Sequence, residues 1–261
     1  MALKVATFNA NSIRARIPII MNWLEKEHPD VLCLQETKVQ DPTFPEAAFA
    51  KVDYRALFRG ERSYNGVAIL TKEPIEAKNP RFGLDDGGPA DETRFLVAEV
   101  RGIPTVNTYV PQGRDPKDSM FVYKLAWFSR LRDYFERHFS PQEPLLWVGD
   151  LNVAPEPIDV HDPVRLLGHV GFHPQEHEAF AAVKAWGFVD IFRKHEPGAG
   201  QYTFWDYRVR EGVARGKGWR VDHILATPPL AEMSLRAWID IEPRVAIRPS
   251  DHTVLVAEFD I

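Results

Sequence analysis

The sequence predicts an α/β protein in which packed β-sheets are flanked by helices. Two observations predict this class: short apolar runs bounded by turn residues recur along the whole chain, and amphipathic stretches with helical spacing lie between them. Several runs are joined by short turns, which favours packed sheets over a regularly alternating parallel sheet. Pro and Gly cluster at residues 82–89 and 155–163, and we interpret both clusters as surface loops of one domain spanning residues 1–261.

The predicted strands begin at the amino terminus, where residues alternate in polarity up to Asn9. Further strands are predicted from seven apolar runs, which are Val31–Leu34, Val67–Leu70, Phe95–Val100, Thr105–Val110, Leu145–Val148, Val221–Ala226 and Val254–Phe259. Cys33 lies inside the first of these runs, and we therefore expect it to be a small buried side chain rather than a nucleophile.

Three amphipathic stretches are predicted as helices. The first runs from about Arg14 to His28, with Asn11 or Ser12 as its cap. The clearest runs from Lys117 to Phe139, and a third begins near Pro174. We expect their apolar stripes to face the core and to bind no ligand.

Charge balance and cysteine content exclude several classes of protein. The chain has 32 Lys and Arg residues against 37 Asp and Glu residues, a net charge of −5, so a polyanion site must be a local patch or a metal. A single cysteine excludes a disulfide scaffold and suits a reducing, cytoplasmic location. The amino terminus lacks a signal-peptide pattern, and no uncharged apolar stretch approaches the roughly 20 residues of a membrane-spanning helix. We therefore expect neither export nor membrane insertion.

Polar side chains stand at the ends of apolar segments, where a rigid scaffold can present them. They are Asn9 with Asn11, Glu36, Asp150 with Asn152, and Asp251 with His252 before the last strand. Asp150 and Asn152 would share a strand face if the strand continued through them. A lone carboxylate after a strand is more often an exposed turn or a helix cap, but together these groups predict a site for Mg²⁺ or Mn²⁺.

Other patterns point to competing chemistry. Asp222 and His252 could form a carboxylate and imidazole pair, as in a serine-hydrolase triad, but no serine occurs in a Gly-x-Ser-x-Gly motif. Residues 212–217 have the wrong spacing for a P-loop. His169, His173 and His177 are four apart, but Pro174 would break a zinc-binding helix between them, so we expect structural or substrate-facing histidines.

Residues 202–220 interleave aromatic side chains with basic ones. Five Lys and Arg residues stand in this segment against only Asp206 and Glu211. The excess of positive charge beside ring faces is consistent with a surface for the DNA backbone. A solvated loop with its aromatic side chains docked on the core explains the same pattern, and the segment alone does not decide between the two.

Six motifs in order along the chain are shared with one known family. They are Thr7-Phe-Asn-Ala-Asn-Ser-Ile-Arg-Ala15, Leu34-Gln-Glu-Thr-Lys38, Asn107-Thr-Tyr-Val-Pro-Gln-Gly113, Gly149-Asp-Leu-Asn-Val-Ala154, Gly218-Trp-Arg-Val-Asp222 and Ser250-Asp-His252. Together they closely resemble the exonuclease III family of AP endonucleases over essentially the whole chain. The resemblance implies the DNase I-like fold of the endonuclease/exonuclease/phosphatase superfamily: a four-layered α/β sandwich of two facing mixed β-sheets flanked by helices, with the active site at one edge.

The resemblance also implies an activity. It implies Mg²⁺-dependent hydrolysis of phosphodiesters in duplex DNA, with Mn²⁺ expected to substitute for Mg²⁺. The implied reactions are incision 5′ to abasic sites, 3′ to 5′ exonuclease action and removal of blocking groups from 3′ ends. The expected partner is duplex DNA with abasic sites or 3′ ends, and we expect a monomer with no obligate protein partner and no membrane contact.

The resemblance assigns roles residue by residue. The implied catalytic residues are Tyr109, Asp150, Asn152, Asp222 and His252; the implied metal-site residues are Asn9, Glu36, Asp150, Asn152, Asp251 and His252; and the implied substrate-binding residues are Arg114, His169, Phe204, Arg208, Trp219 and Val221. Asp150 would accept the proton of the attacking water, oriented with help from Asn152. His252, paired with Asp222, would donate to a phosphate oxygen that Tyr109 also contacts.

Two departures from the family leave the substrate preference and the charge of the metal site undecided. His169 stands where many relatives have asparagine, which leaves the choice among abasic sites, 3′ phosphates and plain 3′ nucleotides undecided. Asn11 stands where some relatives have aspartate, which removes one possible charge from the metal site. Two alternatives remain: another phosphodiesterase of the same superfamily, acting on inositol phosphates or sphingomyelin, and a DNA-binding module without catalysis.

Overall fold

The computed structural model describes residues 2–261, and this part of the chain forms two six-stranded sheets. In chain order the strands are β1 (Ala2–Asn9), β2 (Val31–Gln35), β3 (Tyr54–Arg59), β4 (Val67–Lys72), β5 (Ala77–Phe82), β6 (Phe95–Val100), β7 (Ile103–Tyr109), β8 (Leu146–Asp150), β9 (Val189–Asp190), β10 (Asp222–Ala226), β11 (Ser234–Asp240) and β12 (Val254–Asp260). The first sheet has the order β11-β12-β1-β2-β4-β3, and the second has the order β5-β6-β7-β8-β10-β9.

The three longest helices cover the outer faces of the sheets, and two short helices, at residues 191–195 and 228–232, contribute to the core between the sheets. The helices are α1 (Ile13–Glu27), α2 (Glu46–Ala50), α3 (Ser119–His138), α4 (Pro163–Leu166), α5 (Pro174–Lys184), α6 (Ile191–His195), α7 (Pro228–Glu232) and α8 (Glu242–Val245). At the start of α3 the Asp118 side chain accepts a hydrogen bond from the backbone N–H of Met120. Ser12 occupies the cap position of α1 without a side-chain bond, and its backbone N–H donates to the carbonyl of Glu36.

Three apolar layers give the molecule its sandwich. Because strand side chains alternate between faces, Val5 of β1 and Val148 of β8 pack between the two sheets, where Cys33 is also buried as expected. Alternate residues of the first sheet pack against α1 and α2, and alternate residues of the second sheet pack against α3 and α5. The order helix, sheet, sheet, helix confirms the expected four-layered α/β sandwich.

The strand directions bring one set of strand ends to a common edge. β1 and β2 are parallel, with Asn9 opposite Gln35, and β7 and β8 are parallel, with Tyr109 opposite Asp150. β10 runs antiparallel to β8, so its first residue, Asp222, pairs with Asp150. β12 runs antiparallel to β1, so the segment before it enters from the same side. Polar residues from five strands and from the segment before a sixth, β12, therefore meet at one edge of the sandwich.

A buried pair of amides joins the two sheets near this edge. Gln35 Nε2 donates to Asn107 Oδ1 at 2.7 Å, and Asn107 Nδ2 donates to the carbonyls of Leu34 at 3.0 Å and Ala68 at 2.8 Å. Because buried polar groups need partners in defined directions, these bonds hold β7 against β2 and β4. The polar ends of the two sheets are thereby kept in register.

The predicted strands and helices are largely confirmed. All seven apolar runs lie in strands whose ends differ by at most two residues from the prediction, and the three long helices begin within two residues of the predicted starts. Four strands were not predicted: β3, β5, β9 and β11, which are the outer strands of the two sheets. Between residues 2 and 261, no helix is both long and apolar enough to cross a membrane.

Candidate active site

Asp150, the last residue of β8, lies at the centre of the polar edge. It is buried, and it accepts hydrogen bonds from the Asn9 side-chain amide at 2.7 Å and from the backbone N–H of Asn152 at 2.9 Å. Burial, together with the carboxylates of Asp222 and Glu36, raises the pKa of Asp150 to about 7 against the opposing effects of nearby His252 and Asn9. Asp150 can therefore exchange a proton near neutral pH.

Asn152 reaches the same place by a turn rather than along a strand. β8 ends at Asp150, and Asn152 has a left-handed φ of 51°, so the condition for a shared strand face is not met. The turn returns Asn152 Nδ2 to 3.3 Å from Asp150 Oδ2, and the same nitrogen donates to the Val110 carbonyl at 3.0 Å. The side-chain amide is thus held beside the carboxylate.

Glu36 lies directly after β2 and faces Asp150 through Asn9. Its Oε1 accepts from Asn9 Nδ2 at 2.8 Å, and its Oε2 is 2.6 Å from Lys38 Nζ. Burial opposes ionisation of Glu36, but the Lys38 ammonium and the Asn9 amide lower its pKa. Lys38 also donates to Asn11 Oδ1 at 2.5 Å, and Asn11 Nδ2 donates to Asp251 Oδ1 at 2.9 Å. Glu36 and Asp251 are therefore linked through the side chains of Lys38 and Asn11 in one hydrogen-bonded network.

His252 is buried between two carboxylates. Its Nδ1 is 2.8 Å from Asp222 Oδ2, and its Nε2 is 3.8 Å from Asp150 Oδ2. Burial favours the neutral ring, but Asp222 and Asp150 outweigh it and raise the pKa of His252 to about 10. His252 is therefore an imidazolium at neutral pH. The backbone N–H of Asp222 donates to Thr203 Oγ1 at 3.1 Å, which fixes the carboxylate that orients the ring.

Tyr109 ends β7 on the other side of Glu36. Its ring lies 4.7 Å from the Arg94 guanidinium, which also donates to the Tyr109 carbonyl at 3.2 Å. Burial and the negative charges of Glu36 and Asp150 raise the pKa of Tyr109 well above its usual value. The phenol therefore keeps its proton and can donate it in a hydrogen bond.

The donor set at this edge fits a hard divalent cation. Asp150, Asp222 and His252 lie within 4.8 Å of one another; the two carboxylates offer oxygen ligands, as do Glu36 and Asp251 close by, whereas the His252 imidazolium has no lone pair for a metal. Asp222 Oδ1 is buried without a hydrogen-bond partner among the described residues, so the edge holds a carboxylate oxygen that is available to a cation. Carboxylate and amide oxygens are the ligands that Mg²⁺ and Mn²⁺ prefer.

A cleft of about 870 Å³ opens directly onto this cluster. All six expected substrate-binding residues line it, namely Arg114, His169, Phe204, Arg208, Trp219 and Val221. Glu36, Tyr109, Asn152, Asp251 and His252 line it as well, whereas Asn9, Asp150 and Asp222 are buried behind them. The cleft is thus acidic at its base and mixed aromatic and basic along its walls.

The walls differ in how firmly they are held. The ring of Phe204 packs 4.9 Å from that of His252, and Phe204 pairs through its backbone with Trp219, so this wall is attached to the polar cluster at the base of the cleft. His169 is exposed in a turn between Gly168 and Gly171, both with left-handed φ. Arg208 is exposed and already paired with Asp206 at 2.5 Å, so a phosphate must compete with that carboxylate.

Several supporting residues were not assigned a role from the sequence. Lys38 lies within one of the shared motifs, which was a usable signal, whereas Arg94 and Thr203 stand outside every motif. They act through contacts with residues distant in the chain: Arg94 covers Tyr109 and Thr203 holds Asp222. Sequence reasoning missed them because no local pattern distinguishes them from other polar residues.

Comparison with known proteins shows similarity over the whole chain. The model of the Endonuclease/Exonuclease/phosphatase family matches residues 6–252. Exodeoxyribonuclease III of Haemophilus influenzae is 33% identical, over 98% of this chain and 100% of its own length. An AP endonuclease from Archaeoglobus fulgidus has a similar structure, with a TM-score of 0.95 and 46% identity over 99% of this chain and 100% of that one. The 3′ phosphatase NExo from Neisseria, bound to a product DNA hairpin, has a TM-score of 0.93 and 32% identity over 99% and 100% of the two chains.

Proposed function

Because this chain belongs to the exonuclease III family of the endonuclease/exonuclease/phosphatase superfamily, and is a metal-dependent DNA repair nuclease, we propose that it uses Mg²⁺ to hydrolyse phosphodiesters of duplex DNA at the Asp150 cluster. The single observation that carries the assignment of this site is the meeting of Asn9, Glu36, Asp150, Asp222 and His252 at the base of one open cleft. We expect Mn²⁺ to substitute for Mg²⁺.

The chemistry assigned to the cluster follows from its protonation states. Asp150 accepts the proton of the attacking water, since its pKa lies near neutrality and Asn152 holds an amide beside it. The His252 imidazolium, oriented by Asp222, and the neutral Tyr109 phenol donate hydrogen bonds to the phosphoryl oxygens as negative charge develops on them. Glu36, with Asn9 and Asp251 near it, would hold the divalent cation, which would supply Lewis-acid stabilisation of the same charge.

The walls of the cleft suit a nucleotide turned out of the duplex. Phe204, Trp219 and Val221 form an apolar surface for a sugar, and Arg114 and Arg208 stand at the mouth, where the phosphate backbone would pass. The proposed reactions are incision 5′ to abasic sites, 3′ to 5′ exonuclease action and removal of 3′ phosphates. Relatives include both an AP endonuclease and a 3′ phosphatase, so both substrate types belong in one test.

We also propose that the protein acts as a monomer, since every group of the proposed cluster comes from this chain. Its cytoplasmic location and the single domain over residues 1–261 stay predictions. Hydrolysis of inositol phosphates or sphingomyelin, and DNA binding without cleavage, are the outcomes that would contradict the proposal.

The test is nicking of a duplex that contains one abasic site, with Mg²⁺ or with EDTA, beside a 3′-phosphate duplex and an undamaged duplex. We expect cleavage only with the metal. Binding without nicking would indicate a module that has lost catalysis. An inositol phosphate and sphingomyelin are assayed in parallel, and cleavage of either one without cleavage of DNA would indicate another phosphodiesterase of the superfamily.

Glu36→Gln tests the metal site directly. The amide keeps the shape of the side chain but not the charge that binds a hard cation, so we expect near-complete loss of activity, with partial recovery at high Mn²⁺. Mn²⁺ binding followed by electron paramagnetic resonance should weaken in parallel. Glu232→Gln, on exposed α7 residue Glu232, is the matched control. Near wild-type rates for Glu36→Gln at low Mg²⁺ would contradict the metal assignment.

A further inference from the structure

Lys124 and Glu176 form a fully enclosed ion pair that the proposed chemistry does not use. Lys124 lies on α3 and Glu176 in the first turn of α5, and both side chains are 0% exposed. Desolvation offsets most of the attraction within such a pair, so a buried ion pair is a poor source of stability compared with apolar packing. The other hydrogen bonds of the two charged groups therefore indicate which segments of the chain the pair holds in place.

The ammonium of Lys124 binds two loops of the site. Besides Glu176, its Nζ donates to the Asn152 carbonyl at 2.6 Å and approaches the Gln112 carbonyl at 3.3 Å. Asn152 follows β8, and Gln112 follows β7 beyond Tyr109. All three N–H groups of the ammonium are thus directed to acceptors, two of them backbone atoms beside groups that we assign to catalysis.

The carboxylate of Glu176 holds the turn that carries His169. Its Oε2 accepts from the backbone N–H of Gly171 at 2.7 Å and of His173 at 3.2 Å. Gly171 lies beside both parts of the site, since a Cβ there would be in ordinary van der Waals contact with the Trp219 ring at 3.4 Å and the Asn152 carbonyl at 3.5 Å. The ion pair therefore connects the loop that carries Asn152 to the turn of the cleft wall that carries His169.

We propose that Lys124 and Glu176 are positioning residues for the nuclease reaction, an inference that rests on the function proposed above. Lys124 holds the carbonyl of Asn152 while that residue is in its left-handed conformation, which keeps the side-chain amide beside Asp150. Glu176 holds the turn around His169 and so shapes the wall against which the substrate lies. Lys124 thus sets the rate of the chemical step, and Glu176 sets the choice between internal abasic sites and 3′ ends.

The experiment compares kcat and KM on an abasic duplex and a 3′-phosphate duplex for a set of variants. Lys124→Met alone leaves a buried carboxylate without its counter-charge, so the informative variant is the double substitution Lys124→Met with Glu176→Gln, which removes both charges and keeps the volumes. In Glu176→Gln alone, the one amide oxygen can face Lys124, and the N–H of Gly171 then loses its acceptor. Arg130→Met is the control, because Arg130 also lies on α3 and pairs with Asp86, outside the cleft.

We expect the double variant to unfold cooperatively and to show about a 10- to 100-fold lower kcat on both substrates, with KM changed less than about twofold, as small misplacement of catalytic groups produces. Glu176→Gln should keep most of its kcat but change the ratio of abasic to 3′-phosphate turnover. Wild-type kcat in the folded double variant, or an equal loss in Arg130→Met, would overturn the inference.

Failure of the proposed function and failure of the positioning role give different results. An inactive wild-type protein on every DNA substrate would refute the proposed function itself, not only the positioning role. If the double variant does not fold, Glu176→Gln decides: an unchanged substrate ratio in that folded variant contradicts the role of the pair.

Discussion

At the scale of single residues, two carboxyl groups on the same edge differ because their neighbours differ. Asp150 is enclosed with Asp222 and Glu36 near it, and its pKa rises. Glu36 is also largely buried, but Lys38 and Asn9 compensate its charge and its pKa falls. The proposed proton acceptor, Asp150, and the proposed metal ligand, Glu36, thus lie on one edge with pKa values shifted in opposite directions, as two carboxyl groups with different roles need.

Asp150→Asn should lower turnover far more than DNA affinity. The amide keeps the hydrogen bond with Asn152 but cannot take a proton from water, and loss of a general base typically costs about 10²- to 10⁴-fold in rate. Single-turnover cleavage and binding should be measured on one abasic duplex at fixed salt. A large loss of affinity with unchanged turnover would make Asp150 part of the binding surface instead.

His169→Asn should shift selectivity towards abasic incision. The imidazole is larger than the amide and stands exposed on the cleft wall, so it narrows the space for a nucleotide that is held by DNA on both sides. A terminal nucleotide or 3′ phosphate can adjust at its free end. The measurement is the ratio of the two rates, with His28→Asn, at the end of α1, as control. An unaltered ratio in the folded protein would mean that the ring does not restrict the cleft.

At the scale of elements, residues 202–220 combine both interpretations that the sequence left open. Phe204, Trp205 and Trp219 dock on the molecule, as a solvated loop with buried aromatic residues would. Arg208 and Lys217 nevertheless line the cleft, as a DNA surface would. The charge of Arg208 is partly cancelled by Asp206, which also raises the pKa of the guanidinium through a hydrogen bond.

Arg208→Ala should weaken binding similarly for all DNA sequences and flatten its salt dependence by about one unit of slope, as expected for one lost phosphate contact. Asp206→Asn should do the opposite, because it frees the guanidinium. Affinity should be measured over a range of salt concentrations, with Arg55→Ala, at an exposed residue of β3, as control. An equal salt dependence of affinity for the wild type and the three variants would indicate that this segment is a solvated loop that does not contact DNA.

At the scale of the whole molecule, a buried charge network supports the strand that carries Asp222. Arg220 is 0% exposed, with Nε at 2.7 Å from Asp159 Oδ1 and Nη2 at 2.9 Å from Asp190 Oδ2. Its Nη1 lies 3.0 Å from His223 Nδ1, which ties the network to β10. Burial opposes ionisation of Asp159 and Asp190, but Arg220 lowers the pKa of both carboxyl groups below their usual range.

These lowered pKa values predict how stability depends on pH. A carboxyl group whose pKa is lower in the folded state contributes stability that is fully present above its unfolded pKa, about 4, and is lost as the pH falls through the folded value. The free energy of unfolding should therefore decrease below about pH 4. Asp190→Asn should destabilise the protein at pH 7 by about 3–5 kcal/mol and reduce this acid dependence by up to about 1.4 kcal/mol per pH unit.

Urea denaturation between pH 3 and pH 7 measures both effects, with Asp133→Asn, on the exposed side of α3, as control. An acid dependence identical in Asp190→Asn and wild type would show that Asp190 does not titrate with folding.

The sequence by itself determined the inner strands and the chemical groups at their ends. Inner strands are buried on both faces, so they stand out as apolar runs. The four missed strands are all at sheet edges, where exposed residues such as Lys78, Asn79 and Arg81 of β5 remove the apolar signal. Residues at the ends of inner strands were identifiable for the same reason, since each polar side chain follows directly on an apolar run.

Only the tertiary structure decided how these groups act on one another. Asn9 and Asp150 are 141 positions apart in the chain, and their hydrogen bond exists because two sheets face each other. The raised pKa of His252, the pairing of Arg208 with Asp206 and the buried bond between Lys124 and Glu176 likewise escaped the sequence. The physical reason is that desolvation and Coulomb interactions depend on burial and distance, which local patterns of residues do not contain.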